Sequence, residues 1–378
     1  MQWETIMTAQ LRRIFLTVAF AVTVASAGVR AQGVSSELVV SGSAANATLD
    51  ATSINLETAR AIGEHCAAQA EARGVAVSVY ILDSSGNNVY VHRMDGQVWT
   101  NVATAEMKAL TAYKLRAPSK SQMNRATRNT NDEWSGMQLG LFSNAGGLPI
   151  ILDDQLIGAI GVGGSAPRLA ERWSDEYCAH NALNDIVGPQ PPLLEDLPRT
   201  RPEDQIATAR FGAGSPPAAS LPSEFVVSGA AAQRLMDANQ ISASAATAIA
   251  AGCREWISER GGSATISVID NTALAVHIER MDGQMSLNSE TSLAKAETAL
   301  RGRGPTSSRE AGAHNNPGGF PRSVPLFNFY SKAGGIPVVV DNQIIGSVGV
   351  SGTDGQDEAC AVAGLQAAFG DRATVPVY

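Results

Sequence analysis

The chain has 378 residues and a formal charge of −8, and its basic residues form no cluster beyond the N-terminal segment. Nucleic acid and anionic membrane surfaces are therefore poor partners for it. The sequence contains no CxxC motif and no cluster of cysteines and histidines with the spacing of a metal site, so it predicts no metal site.

The N-terminus is typical of a signal peptide. Arg12 and Arg13 precede an apolar run from Ile14 to Ala25, which is too short to span a bilayer, and small residues follow it. We expect residues 1–31 to be removed, so that the mature chain begins near Gln32. The protein is predicted to be periplasmic or secreted, by twin-arginine or ordinary Sec export. No later segment is apolar enough to predict a membrane span.

The rest of the chain predicts one domain in two copies. His-Arg-Met-Asp-Gly-Gln at 92–97 returns as Glu-Arg-Met-Asp-Gly-Gln at 279–284, an offset of 187 residues from 92 to 279. Eight of the seventeen prolines lie between Pro189 and Pro222, which indicates an extended linker. The predicted units are a domain at 32–188, a linker at 189–222 and a second domain at 223–378.

Hydrophobic periodicity predicts the same elements in both copies. Copy one begins with a helix from Leu56 to Arg73, followed by strands from Val75 to Leu82 and from Val89 to Arg93 and by a second helix around Lys108. Copy two repeats these elements. In each copy a long irregular segment follows, Thr127–Ser143 in copy one and Thr306–Tyr330 in copy two, and precedes two more strands and a last helix, which carries Cys360 in copy two. The order α-β-β-α-β-β-α with tight hairpins predicts an antiparallel sheet with packed helices, an α+β fold.

The four cysteines follow the duplication. Cys66 and Cys253 differ by the same 187 residues, while Cys178 and Cys360 lie in matching Asp-Glu-Tyr-Cys and Asp-Glu-Ala-Cys contexts. Pairing Cys66 with Cys178 and Cys253 with Cys360 is the connectivity that treats the copies equivalently and links the first helix of each to its last. The alternative is four buried free thiols.

Copy two carries a specific set of motifs. Arg-Met-Asp-Gly at 280–283 and Lys-Ala-Glu-Thr-Ala at 295–299 are followed by Gly-Gly-Ile-Pro at 334–337 and Gln-Asp-Glu at 356–358. Together they resemble the GlcG/HbpS-like family, and the resemblance covers nearly all of both copies. It implies an α/β sheet domain, often oligomeric, whose members are variously haem-binding, haem-degrading or of unknown function. Copy one departs from the pattern at 163–165 and 170–176.

The resemblance implies a ligand site in each copy. A lysine and a threonine three positions apart share a helix face next to a Gly-Gly segment, where they could hold a carboxylate such as a haem propionate. The predicted ligand-binding residues are Arg280, Lys295, Thr298, His314, Gly334 and Gly335 in copy two, and Arg93, Lys108, Thr111, Gly146 and Gly147 in copy one. The alternative is structural: Asp95 and Asp282 close turns, the arginines pair with aspartates, and Gly-Gly makes a tight bend.

The histidines do not converge on one iron ligand. His65 and His180 lie beside predicted disulfide cysteines and are expected on helix surfaces. His92 and His277 share one face of equivalent strands, which is predicted to be solvated or to form an interface between sheets. His314 lies in a long loop at 305–329, and because such loops often bind ligands it is the best candidate for a ligand or general base.

Three functional hypotheses remain open. The first is an exported, disulfide-linked tandem protein that binds haem or a similar carboxylate-bearing small molecule. The second is an enzyme acting on a small organic molecule in a cleft of copy two, with His314, Lys295 and Asp282 as acid/base groups. The third is a structural accessory module. No GxSxG, HExxH or phosphate-loop motif occurs, so hydrolase, zinc-protease and NTPase chemistries lack support.

The duplication also predicts how the copies assemble. Single-copy members of the family are expected to form homo-oligomers, and a covalent duplicate can place its copies about a pseudo-two-fold axis. A linker of about thirty residues can reach across a small domain. We therefore expect an internal pseudo-dimer, with His92 and Glu279 on the polar strand face as candidate contacts, and homo-oligomers as a further option.

Overall fold

The computed structural model describes residues 52–165, 173–197, 239–315 and 329–375, without the side chains at 130 and 312–315. The predicted signal peptide, most of the predicted linker and residues 166–172 lie outside this part of the chain. In the described part, no helix combines the length and the hydropathy needed to cross a membrane.

Copy one alternates helices with two hairpins. Its elements are α1 (Leu56–Glu71), β1 (Ser78–Asp83), β2 (Asn88–Arg93), α2 (Trp99–Leu115), α3 (Lys120–Arg128), α4 (Thr130–Gln138), β3 (Gly147–Leu152), β4 (Gln155–Gly163) and α5 (Asp175–Ile186). Helix α1 begins after Asn55, whose side-chain oxygen accepts a hydrogen bond from the backbone N–H of Thr58 at 2.8 Å. Asp153 and Asp154 adopt positive φ angles of 47° and 62°, which a two-residue hairpin turn between β3 and β4 requires.

Copy two follows the same order. Its elements are α6 (Ala243–Ser258), β5 (Thr265–Asp270), β6 (Ala275–Arg280), α7 (Leu287–Gly302), α8 (Thr306–Asn315), β7 (Gly335–Val340), β8 (Gln343–Ser351), α9 (Asp357–Phe369), a 3₁₀ turn (Gly370–Arg372) and β9 (Ala373–Thr374). Ser242 accepts a hydrogen bond from the backbone N–H of Ala245 at the start of α6, at 3.2 Å. Asp341 and Asn342 form the second two-residue hairpin turn, with φ angles of 49° and 65°.

The strands of both copies form one antiparallel sheet. Their order is β3-β4-β1-β2-β6-β5-β8-β7-β9. The copies meet where β2 pairs with β6, so that Tyr90 lies opposite Glu279 and His92 opposite His277. This β2–β6 junction is named the seam below. Each strand would otherwise leave a row of unpaired backbone groups, and mutual pairing satisfies both edges.

Helices cover both faces of the sheet. In β1, Val79 and Ile81 pack into a core with α1 and α5, while Tyr80 and Leu82 pack against α2. Copy two repeats the arrangement, because Val268 of β5 packs with α6 and α9. The alternation of side chains along each strand thus supplies two cores per copy.

Two disulfides link the first and last helices of each copy, as predicted. Cys66 is bonded to Cys178 with a Cα–Cα distance of 5.2 Å, and Cys253 is bonded to Cys360 with a Cα–Cα distance of 4.7 Å. All four cysteines are fully buried in the helix–sheet cores. The alternative of four free thiols is wrong.

The α+β class and the antiparallel sheet are confirmed, but the segments expected to be irregular are partly helical. Helices α3 and α4 follow α2 in copy one, and α8 begins the segment 305–329 in copy two, so the prediction of a structureless loop there is wrong for its first part. Helix α3 buries only Lys120, Gln122 and Met123. It therefore lacks the apolar stripe from which a helix is recognised in sequence.

Candidate ligand-binding site

The two predicted lysines are enclosed rather than open to a cleft. Lys108 is 3% exposed, and its Nζ donates to Asp175 Oδ2 at 2.6 Å and to Val162 O at 2.9 Å. The same contacts recur in copy two among Lys295, Asp357 and Val350, at 2.6 and 3.0 Å. Each lysine therefore joins the second helix of its copy to the first turn of the last helix. A ligand-binding role for these lysines stays a prediction.

The predicted threonines belong to the same packed junctions. Thr111 and Thr298 are fully buried, and each hydroxyl donates to the carbonyl four residues earlier in its helix, at 2.7 and 2.8 Å. Each hydroxyl also accepts a backbone N–H, from Phe142 and Tyr330 respectively, at 2.8 Å. Their hydrogen-bonding capacity is thus used to anchor the chain that follows the second helix.

The Gly-Gly segments allow the second helix to approach the sheet. A Cβ atom on Gly147 would lie 2.1 Å from the carbonyl oxygen of Lys108, and one on Gly335 would lie 2.3 Å from that of Lys295. Gly146 and Gly334, one position earlier, have φ angles of 118° and 122°, which favour glycine. This geometry favours the tight bend over a ligand cradle.

The two motif arginines bind aspartates of the opposite copy. Arg93 Nη2 donates to Asp270 Oδ2 at 2.7 Å, and both side chains are buried. Arg280 makes the equivalent contact with Asp83. The expected pairing of arginine with aspartate therefore occurs, but it runs between the copies and holds them in register at both ends of the seam.

The motif aspartates cap the first helix of the opposite copy. Asp95 Oδ1 accepts the backbone N–H of Ala243 at 2.8 Å, and Asp282 Oδ1 accepts that of Leu56 at 2.9 Å. A carboxylate is stabilised at a helix N-terminus by the unpaired N–H groups and by the helix dipole. The turn that each Asp-Gly makes thus also contributes to the contact between the copies.

The histidines expected on helix surfaces have local partners. His65 Nε2 lies 2.9 Å from Asp185 Oδ2, and His180 Nε2 lies 3.1 Å from the carbonyl oxygen of Pro191. His314 is part of helix α8, and its side chain lies outside the described residues. Its role as a ligand or general base stays a prediction.

The strand face that carries His92 and His277 is covered by α1 and α6. His277 and Glu279 are fully buried, Tyr90 packs beneath Gly63 of α1, and Arg254 of α6 donates to Glu279. The face is therefore neither solvated nor an interface between stacked sheets. His92 and Glu279 do lie where the copies meet, as expected, but through the edge-to-edge pairing of β2 with β6. The hydrophobic pattern of a single strand does not show that a helix from each copy covers the polar side chains on this face.

A buried polar network crosses the seam. His92 Nδ1 and His277 Nδ1 are 3.4 Å apart, and His277 Nε2 is 3.1 Å from Glu279 Oε1. Burial alone would raise the pKa of Glu279, but the bond to His277 and the Arg254 guanidinium lower it to about 2. Burial lowers the pKa of His92 to about 4, assisted by His277 and opposed by Asp95. At neutral pH, Glu279 is ionised and His92 is neutral.

Two adjoining cavities lie at the end of the seam where β6 ends. The first has a volume of about 360 Å³ and lies between residues 83–85 of copy one and residues 280–284 of copy two. The second has a volume of about 340 Å³ and lies between α1 and α6. Both have Met281 and Asp282 in their walls, and together they are named the corner cleft. Ligand sites commonly have volumes of about 300 to 1,000 Å³.

Two arginines line the second cavity of the corner cleft from opposite helices. Arg60 of α1 has a side chain 33% exposed, and its Nε lies 3.9 Å from Glu64 Oε1. Arg254 of α6 is 24% exposed and donates to Glu279 through Nη1. Two carboxylates, Glu57 and Asp282, line the same cavity. Guanidinium groups bind carboxylates with paired N–H donors, so the two arginines are the groups in this cavity that can hold an organic anion.

The sequence prediction identified only part of this cleft. Among the described residues predicted to bind ligand, Arg280 lines it, as does the acid/base candidate Asp282. Arg60 and Arg254 were missed, because they belong to no motif. The repeat itself contained the signal: at the offset of 187, Arg60 corresponds to Thr247 and Arg254 to Ala67, so both arginines break the likeness of the copies.

Comparison with known proteins adds a family relationship. A family model described as "Haem degrading protein HbpS-like" matches residues 54–184 and 241–366, more than half of the chain. Protein GlcG of Escherichia coli strain K12 is 39% identical over 106 residues, which are 28% of this chain and 77% of GlcG. In the crystal structure of HbpS, the matched sequence is 27% identical, and the match covers 40% of this chain and 99% of the HbpS chain, with a TM-score of 0.32. Protein ORFY of Klebsiella pneumoniae is 26% identical, with coverages of 37% and 94% and a TM-score of 0.32.

Proposed function

The chain belongs to the HbpS-like family, and on that premise we propose that it binds haem or a similar carboxylate-bearing small molecule in the corner cleft. The observation that carries the proposal is the pair of partly exposed arginines, Arg60 and Arg254, in the wall of a cavity between the two copies. A ligand carboxylate there would gain charge-assisted hydrogen bonds.

The cleft fits the carboxylates of haem better than it fits the iron. Leu56 and Met281 supply apolar wall, and the arginines suit propionates. Iron is usually held by an imidazole, a thiolate, a phenolate or a thioether. The described lining holds no histidine, cysteine or tyrosine, and Met281 Sδ accepts the backbone N–H of Ala264 at 3.2 Å. The proposed role is therefore ligand binding through the carboxylates.

The acid/base hypothesis gains no specific support from the described residues. Lys295 is held by Asp357, and Asp282 is held by the N-terminus of α1 at Leu56. The two groups therefore have separate partners in separate parts of the molecule.

Export and assembly complete the proposal. The two disulfides favour an oxidising compartment, which agrees with a periplasmic or secreted protein. The antiparallel pairing of β2 with β6 supports a functional unit that is an internal pseudo-dimer, since the corner cleft takes residues from both copies. Further homo-oligomers stay a prediction.

A hemin titration of the mature protein tests the proposal. We expect saturable binding with a shifted Soret band, and Arg60→Ala should weaken it about tenfold or more because a charge-assisted bond is lost. The matched control is Arg301→Ala, which removes another helical surface arginine paired with a glutamate four positions away. Equal affinity of both variants would refute the placement in the corner cleft, and absence of hemin binding would refute haem as the ligand.

A further inference from the structure

The two ends of the seam are related by the duplication and carry the same motif residues, but their other charged side chains differ. At the offset of 187, Arg280, Met281 and Asp282 of the corner cleft correspond to Arg93, Met94 and Asp95 at the opposite end. These motif residues repeat, and so do their contacts, because both arginines bind an aspartate of the other copy and both aspartates cap a helix. The shared framework therefore cannot distinguish the ends.

The ends differ in their charged side chains: Glu57 of the corner cleft is replaced by Ser244, and two arginines are replaced as well. Arg60 and Arg254 of the corner cleft are replaced at the opposite end by Thr247 and Ala67. Thr247 Oγ1 donates to the carbonyl oxygen of Ala243 at 3.0 Å, and both replacements are partly exposed, so neither position is closed by packing. The opposite end thus keeps the framework and lacks both guanidinium groups.

Most of the other charges of the corner cleft are engaged, and the exception is Glu57, an exposed carboxylate in the first turn of α1. Arg280 is paired with Asp83, and Asp282 is bonded to the N-terminus of α1. Arg254 donates to the buried Glu279 through one nitrogen, but a guanidinium has five N–H donors and can hold a second carboxylate. Arg60 Nε lies 3.9 Å from Glu64 Oε1, which is longer than a hydrogen bond. The groups positioned to receive a ligand are therefore one arginine on α1 and one on α6.

We propose that the corner cleft selects a dicarboxylate, one carboxylate for Arg60 and one for Arg254, and that each chain binds a single such ligand at this end of the seam only. The inference rests on the proposed function and adds the number of carboxylates and the stoichiometry. Two cations on separate helices from separate copies match two carboxylates on one ligand, as in a porphyrin dipropionate or a small dicarboxylic acid. A monocarboxylate would engage only one of them.

Calorimetric titration of the mature protein with hemin, with hemin dimethyl ester and with succinate tests the inference. We expect one hemin per chain, with the diester bound about tenfold or more weakly, and a smaller penalty for the diester in Arg60→Ala. The double variant Ala67→Arg/Thr247→Arg should bind two hemin molecules per chain, because it places both cations at the opposite end.

The outcomes separate the two proposals. Hemin and its diester binding equally, or two hemin molecules bound to the unmodified chain, would overturn the dicarboxylate assignment and leave haem binding intact. Absence of hemin binding together with succinate binding that Arg60→Ala weakens would overturn haem as the ligand and support the dicarboxylate site. Absence of both would overturn both.

Discussion

The helix–sheet junctions around Lys108 and Lys295 and the seam between the copies show two different consequences of one duplication. At the junctions the copies agree closely, since both lysines contact their aspartates at 2.6 Å and both threonines accept a backbone N–H at 2.8 Å. At the seam, equivalent positions differ: Tyr90 of copy one corresponds to His277, and His92 corresponds to Glu279.

The junction residues stabilise the fold of each domain and are the same in both copies, whereas the seam residues differ between the copies. The junctions lie inside one copy, where each must hold its own second and last helices together. The seam brings four side chains together about a pseudo-two-fold axis, and in a homodimer those four would be two identical pairs. Covalent duplication permits the asymmetric set Tyr90, His92, His277 and Glu279, in which one carboxylate is bonded by a histidine and by Arg254.

Removing either disulfide should have the largest effect on stability, and it should be nearly the same in both copies. The bridges close segments of 112 and 107 residues, and each is expected to contribute about 4 to 5 kcal/mol in the chain-entropy model. Urea unfolding of Cys66→Ala/Cys178→Ala and of Cys253→Ala/Cys360→Ala measures both. A small loss in one copy alone would break the equivalence of the two cores.

Removing a junction lysine should have the next largest effect. Lys295→Met leaves Asp357 without its cation and should lower the free energy of unfolding by about 3 kcal/mol, and Lys108→Met should do the same in copy one. Lys332→Met is the control, because that lysine is 62% exposed and its pair with Glu310 is screened by solvent, so its loss should change stability little. If Lys295→Met abolishes ligand binding in protein that remains folded, the lysine is a ligand residue after all.

The seam should make the stability of the protein depend on pH. The pKa of His92 is lowered to about 4, mainly by burial, while an unfolded histidine titrates near 6.5. The folded state therefore binds fewer protons in this interval, so stability is complete above about pH 6.5 and is lost as the pH falls toward 4. The loss attributable to this group is at most about 3 kcal/mol. His92→Phe should flatten the stability profile between pH 6.5 and 4, and a slope that persists in the variant would contradict the assignment to His92.

Some features could be predicted from sequence because they depend on local pattern or on repetition. The strands around Val79 and Ile266 alternate in hydrophobicity, and the disulfide partners follow from equivalent placement in two copies. Helices α3 and α8 could not be predicted in this way. They carry few apolar residues, and their positions are fixed by contacts such as that of Lys120 with Glu176, distant in sequence.

The candidate site was predicted less well than the fold, for a physical reason. A lysine beside a Gly-Gly segment has the right chemistry to hold a carboxylate, but the sequence does not show that Asp357 is the carboxylate that Lys295 holds. Arg60 and Arg254 lie 194 positions apart (254 − 60), and no local pattern relates them. They share a cavity only because β2 and β6 pair and bring α1 beside α6.

The sequence by itself determined the duplication, the class of the fold and the disulfides, because these depend on residues repeated at a fixed offset and on the period of hydrophobic side chains. The tertiary structure alone decided which charged side chains are paired with another group and which face a cleft. Burial and pairing depend on the opposite copy: Arg280 is paired with Asp83 and Asp282 caps α1, so the cations left to hold the proposed ligand are the two arginines that the repeat does not share.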